Sequence, residues 1–239
     1  MKKNRSISSG DYLIYLSVVY VVIAVTMNIF CMKSLSFSSP IIICDGGLLI
    51  SWGVFLISNV IVEVWGEEKC IRIVSFATAV TFAVMMIGRL IVFIPTLPEY
   101  EEQADAFARV FSNGPRTIIA SAAAFWVGNL INVHVIAKLK GHIDSDKDNR
   151  ILFFIRSSSS TLIGQLVDNA LFMILAFAPI GLSLYEMAWK DITSSVLSGT
   201  VIELIVESCF VPFITIPLTR RIQRLRKEEM DECPDNRQL

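Results

Sequence analysis

Six long apolar stretches, each about twenty residues or more, constrain this chain more than any other feature. They cover residues 12–32, 41–62, 71–94, 117–137, 151–180 and 192–218. At about 1.5 Å of rise per residue, each is long enough to cross a hydrocarbon core of about 30 Å as a helix. Composition leans the same way. Of 239 residues 54% are apolar and 18% charged, where a soluble domain would carry about 25% charged residues. The expected fold is all-α: a polytopic integral membrane protein of six transmembrane helices, one membrane transport domain over residues 1–239. No soluble module with a basic stripe is present, which argues against nucleic-acid binding.

Short polar connections with helix breakers separate the stretches: Ser38-Ser39-Pro40, Pro95 to Pro98, and Asn113-Gly114-Pro115. The first stretch follows Lys2, Lys3 and Arg5, as a signal peptide would. It is too long for the apolar core of one, and no small-residue cleavage site follows Met32. With a cytoplasmic N-terminus, sixteen of the 21 lysines and arginines fall on the inner side and four on the outer, with Arg89 inside a span. That bias predicts both termini in the cytoplasm and a multi-pass protein of the inner (plasma) membrane. The acidic run Glu99, Glu101, Glu102 and Asp105 then lies outside, as a short interfacial helix ending near Phe111. The tail from Arg220 reads as a basic amphipathic helical end at an anionic leaflet.

Polar groups at bilayer depth carry the functional information, because each is costly unless satisfied. Asn59 and Glu63 are four residues apart in the second span, and Asn129 and Asn132 three apart in the fourth. Gln165, Asp168 and Asn169 share the fifth, and Glu203 and Glu207 are four apart in the sixth. Such spacings place each set on one helix face. Four polar stripes on four helices converge only by facing a common interior. Asp168 and Glu203 fall near the midplane, with no lysine at that depth. The pattern predicts a hydrated binding cavity, set against a simpler alternative in which the amides only hold helices together. Pro212 predicts a kink in the sixth helix. Ala120, Ala124 and Gly128, with Ser160 and Gly164, predict close packing of the fourth and fifth.

Catalysis finds little support. Ser157 to Ser160 and Thr161 supply hydroxyls without a G-x-S-x-G motif, and the only histidines, His134 and His142, lie outside that depth. Five cysteines with no C-x-x-C give neither a disulfide framework nor a metal site. No metal and no cofactor is expected.

The sequence resembles the queuosine precursor transporters, also called the YhhQ or vitamin uptake transporter family. The resemblance rests on Asn28, Asp45-Gly46-Gly47 through Ser51-Trp52, and Glu63-x-Trp65-Gly66. It continues through Arg116, Gly128-Asn129, Val133-His134-Val135, Arg156, Ser160 to Gln165, Asp168 and Pro212. It implies a six-helix importer of 7-deazaguanine bases: the cyano or aminomethyl queuosine precursor, or queuine. Two positions depart from the family pattern. Asn59 stands where an acid is common, and Glu203 where a lysine is common.

The chemistry of such a base agrees with the residues present. Its adjacent N–H donors suit a carboxylate from Asp168 or Glu203, and Asn129, Asn132 and Gln165 can meet its other groups. An aromatic ring, Trp52, Trp126 or Phe172, can stack on its face. Asn28, Asn59 and Glu63 complete the candidate substrate-binding set, with Glu203 expected to set selectivity or proton coupling. Gating or charge pairing falls to Arg116, Arg156, Arg89 and Glu207. Arg116 and Arg156 sit at helix N-terminal edges, which disfavours a role at a helix dipole. Arg89 is close enough to its helix end to snorkel. Six helices are few for alternating access within one protomer, which leaves a homodimer open. Two rival classes remain: a substrate-capture subunit of an energy-coupling vitamin importer, and a non-transporting structural membrane protein.

Overall fold

The computed structural model describes residues 7–31, 33–36, 43–111, 115–141, 150–179 and 186–232. Eight helices and one short hairpin make up these residues: α1 (Ser9–Phe30), β1 (Ser34–Ser36), β2 (Ile43–Asp45), α2 (Leu48–Trp65), α3 (Glu67–Val92), α4 (Glu101–Phe111), α5 (Pro115–Gly141), α6 (Arg150–Phe177), α7 (Trp189–Phe210) and α8 (Ile216–Glu232). A 3-10 turn at Pro98–Tyr100 precedes α4, and a π-helical turn at Val211–Thr215 joins α7 to α8. Among the described residues, six helical stretches are long and apolar enough to cross a membrane: α1, α2, α3, α5, α6, and α7 continued through α8. The fold is all-α in its spans, as expected.

Local chemistry sets the boundaries. Ser8 caps α1 reciprocally with Asp11: the Asp11 N–H donates to Ser8 Oγ at 3.1 Å, and the Ser8 N–H donates to Asp11 Oδ2 at 2.9 Å. Gly66 turns α2 directly into α3 at φ 92°, a conformation that costs a side-chain-bearing residue dearly. Pro212 lacks the N–H that an α-helix would use there. The chain takes up the missing bond as a π turn, in which the Ile216 N–H reaches the Val211 carbonyl.

One expected boundary is corrected. The second helix begins at Leu48, not Ile41, because Ile43–Asp45 pairs antiparallel with Ser34–Ser36 in register Ser34↔Asp45, Leu35↔Cys44 and Ser36↔Ile43. The Gly46 N–H then donates to the Lys33 carbonyl at 2.8 Å and closes the connection between α1 and α2. The hairpin marks one end of the bundle, the hairpin end, and the opposite end carries the arginines of α8.

Apolar side chains project outward from most spans: Ile14, Val22, Phe76, Ile87, Val201, Ile205 and Phe213 are all more than half exposed. A belt of that kind is the surface a bilayer covers. The interior combines an apolar cluster around Tyr20, Phe55, Ile61, Val74 and Phe125 with many buried polar groups. Helices α5 and α6 cross most closely. A Cβ on Gly128 would lie 2.6 Å from the Asp168 Cβ and 2.9 Å from the Gly164 carbonyl oxygen. One on Gly164 would lie 2.7 Å from the Asn132 Cβ. These two glycines therefore set the depth at which Asp168 and Asn132 face each other's helices.

Candidate functional site

Polar side chains are stacked in three tiers along α6. The first, toward the hairpin end, is an open cavity of about 110 Å³. Asp168, Asn169 and Phe172 of α6 line it, with Asn28 of α1 and Cys31 just beyond its end, Ser51 of α2, Ser121 and Phe125 of α5, and Glu203 of α7. Two carboxylates thus share one cavity with two aromatic rings. The Glu203 carboxylate is oriented from both sides. Ser51 Oγ donates to its Oε1, and Asn169 Nδ2 donates to its Oε2 at 3.1 Å and to Thr200 Oγ1 at 3.0 Å. Ser121 Oγ donates to Asn28 Oδ1 at 2.6 Å, joining α5 to α1 across the cavity wall.

The second tier is closed. Asn132 Nδ2 donates to Asn59 Oδ1 at 3.1 Å, and Asn59 Nδ2 donates to Ser157 Oγ at 2.8 Å and Thr161 Oγ1 at 3.1 Å. Thr161 Oγ1 donates in turn to Glu207 Oε1 at 2.7 Å. This chain crosses four helices, α5, α2, α6 and α7, with every member buried. Gln165, one turn along α6, is fully buried, and neither its amide oxygen nor its nitrogen has a hydrogen-bond partner among the described residues. Glu207 Oε2 and Asn132 Oδ1 are in the same position. The tier therefore holds spare hydrogen-bonding capacity, which buried polar groups rarely retain. Beside it, Tyr20 Oη donates to Asn129 Oδ1 at 2.9 Å.

The third tier is ionic. Arg156 Nη2 meets Glu63 Oε2 at 2.9 Å, and Lys140 Nζ lies 3.5 Å from Glu63 Oε1 while donating to the Glu63 carbonyl at 2.6 Å. Nearby contacts tie α1 and α2 to α8: the Ser9 N–H donates to Glu229 Oε1 at 2.7 Å, and Arg226 donates to the Val64 carbonyl. From Arg156 to Asp168 is twelve residues, about 18 Å along the helix. The far end is locked by charge, and the near end holds the cavity.

The structure brings Asn28, Asp168, Phe172 and Glu203 to the cavity, and Asn59, Asn132, Gln165 and Glu207 to the closed tier. Glu63 joins Arg156 in the ionic tier. Asn129 is turned to Tyr20. Two rings expected to stack on the base are turned elsewhere. Trp52 stacks on Phe210 at 4.4 Å and donates to the Leu49 carbonyl, away from the cavity. Trp126 is 42% exposed and donates to Ser75 Oγ at 3.1 Å. Both lie at suitable depth but on outward-turned arcs of their helices. Asn169, on the same helix as Asp168, orients Glu203. Arg116, at the start of α5, donates from Nε to the Leu175 carbonyl at 2.6 Å and from Nη2 to the Ala178 carbonyl at 3.4 Å. It satisfies the C-terminal carbonyls of the neighbouring α6, so a dipole role holds across helices where it fails within one. Arg89 lies over the Phe93 ring at 5.0 Å. Phe125 and Ser121 carry no signal in the sequence, and Ser51 enters there only within the family motif; one aromatic or small hydroxyl residue in an apolar helix has no period to mark it.

Comparison with known proteins places this arrangement. A family model described as "Putative vitamin uptake transporter" matches residues 45–216. A similar relative is the "Probable queuosine precursor transporter" of Bacillus subtilis (strain 168), 27% identical over 126 residues, which are 52% of this chain and 52% of that one. The alignment thus spans about half the length of the curated relative. No solved structure matches the chain significantly. With the family match running from the end of the hairpin to the first residue of α8, and six helices able to cross a membrane, the chain belongs to the vitamin uptake transporter family of multi-pass membrane proteins.

Proposed function

We propose that the chain imports a 7-deazaguanine base, a queuosine precursor, across the plasma membrane for tRNA modification salvage. The observation that carries this reading is the convergence of Asp168, Glu203 and Asn28 with the rings of Phe125 and Phe172 in one open cavity. A guanine-like edge presents adjacent N–H donors, which a carboxylate accepts in pairs, and a flat face, which aromatic rings cover. The name of the Bacillus subtilis relative supports the substrate class.

Asp168 is the primary contact in this reading. It lines the cavity while Glu203 is already engaged by Ser51 and Asn169. Passage then requires the closed tier to admit the base and the Glu63–Arg156 contact to part, so the ionic tier acts as the inner gate. Glu203 tunes selectivity or couples a proton to transport. Cells unable to make queuosine, supplied with labelled deazaguanine bases, test the proposal. Uptake and incorporation into tRNA should appear only when the chain is present. Equal uptake with and without it would refute the function.

A further inference from the structure

A small side chamber of about 30 Å³ adjoins the cavity between α1, α3, α5 and α6. Asn28, Cys31, Ser121 and Phe172 line both spaces, and Thr81 and Met85 of α3 contribute to the chamber alone. No residue lining the chamber is charged. Thr81 is 5% exposed, and its Oγ1 has no hydrogen-bond partner among the described residues. Its neighbour Thr78 donates to the Val74 carbonyl one turn back at 2.9 Å, the usual outlet for a helical threonine. A buried hydroxyl left unsatisfied is costly, and each such group calls for a reason.

We infer that this chamber is the subsite for the substituent on the five-membered ring of the base, and that it takes a small uncharged hydrogen-bond acceptor, such as a nitrile, held by the Thr81 hydroxyl. The inference rests on the function proposed above and names which member of the substrate class fits. In a deazaguanine, the amide and amine edge and the ring substituent lie at opposite ends of a flat bicycle. The carboxylates of the cavity stand on α6 and α7, while Thr81 stands on α3. A base whose N–H edge meets Asp168 reaches the chamber with its other end past Asn28, Ser121 and Phe172, which line both spaces. An ammonium group in the chamber would lose its hydration with no carboxylate in the chamber wall to replace it. A nitrile loses little hydration and accepts the hydrogen bond that Thr81 has to give.

The test compares uptake of labelled 7-deazaguanine and 7-cyano-7-deazaguanine by cells carrying the parent chain, Thr81→Val or Ala122→Leu. The parent should prefer the nitrile-bearing base. Thr81→Val, which replaces only the hydroxyl by a methyl group, should reduce that preference about fivefold to tenfold, the size of one hydrogen bond. Ala122→Leu, at a residue of α5 that lines the chamber beside Ser121, fills it and should abolish the preference for the nitrile base. Each preference is a ratio within one variant, so differences in folded amount cancel, and either variant alone decides the matter if the other fails to accumulate. An unchanged preference would overturn the chamber assignment while the proposed function stands. Absence of uptake of both bases by the parent would overturn the function itself.

Discussion

The Arg156 guanidinium meets the Glu63 carboxylate at 2.9 Å, with the two side chains 2% and 5% exposed, and Lys140 Nζ lies 3.5 Å from the other oxygen of the same carboxylate. One acid thus serves two cations from two other helices. Removing one partner of a buried pair costs about 3–5 kcal/mol, because the other is left buried and uncompensated. Glu63→Gln should therefore destabilise more than Arg156→Gln, since Lys140 still faces Glu63 in the second variant. The double variant should recover part of the loss. Thermal unfolding of the purified proteins in detergent reads the order directly; additive losses would deny the coupling.

The α5–α6 crossing makes its own prediction. Gly128→Ala and Gly164→Ala each force a methyl group to within 3 Å of the facing backbone. Overpacking of that kind costs roughly 1–3 kcal/mol. Gly199→Ala is the control, because its Cβ would lie 3.6 Å from the nearest atom, Asn169 Nδ2. Monodisperse protein recovered from membranes should fall for the first two variants and hold for the third. Equal recovery of all three would place the close contact elsewhere.

Arg116 separates a structural from a gating role. Its bonds to the Leu175 and Ala178 carbonyls complete the end of α6. A cation at a helix C-terminus contributes about 0.3–1 kcal/mol, and up to ~2 kcal/mol when partly buried. Arg116→Ala should lower thermal stability modestly while uptake per folded molecule is retained. Full stability with uptake abolished would make it a gate instead.

Orientation is checked by a single cysteine at Glu101, in the exposed helix α4. The excess of lysine and arginine at the opposite end predicts labelling by an impermeant thiol reagent from outside intact cells. Labelling only after permeabilisation would invert the topology.

Much of this architecture is legible in the sequence, and the illegible parts share a cause. Hydropathy and length identify the spans, and i,i+3 and i,i+4 spacing predicts that Asn59, Asn132, Gln165, Asp168, Glu203 and Glu207 face inward. All six do. What spacing cannot give is rotation about the axis of a helix that is apolar on every side. Trp52 and Trp126 therefore lie at the depth of the cavity but on arcs turned away from it. The apolar run at Ile41 to Cys44 looks like the start of a helix, because a short continuous apolar run has no period that distinguishes helix from strand. Contacts between helices, such as Arg116 with α6 or Lys140 with Glu63, depend on which neighbours the bundle chooses. No local pattern records that choice.

Under the proposed function, this chain alone binds and moves a deazaguanine base through the Asp168 cavity. Its most direct test is uptake of labelled base into proteoliposomes holding only the purified chain, beside the same vesicles with Asp168→Asn. An amide presents one accepting oxygen and an NH₂ donor where the carboxylate presents two accepting oxygens. Saturable uptake by the parent, reduced at least about tenfold in Asp168→Asn at equal reconstitution, is the predicted result. Absence of saturable uptake by the parent, or unchanged uptake by Asp168→Asn, would contradict it.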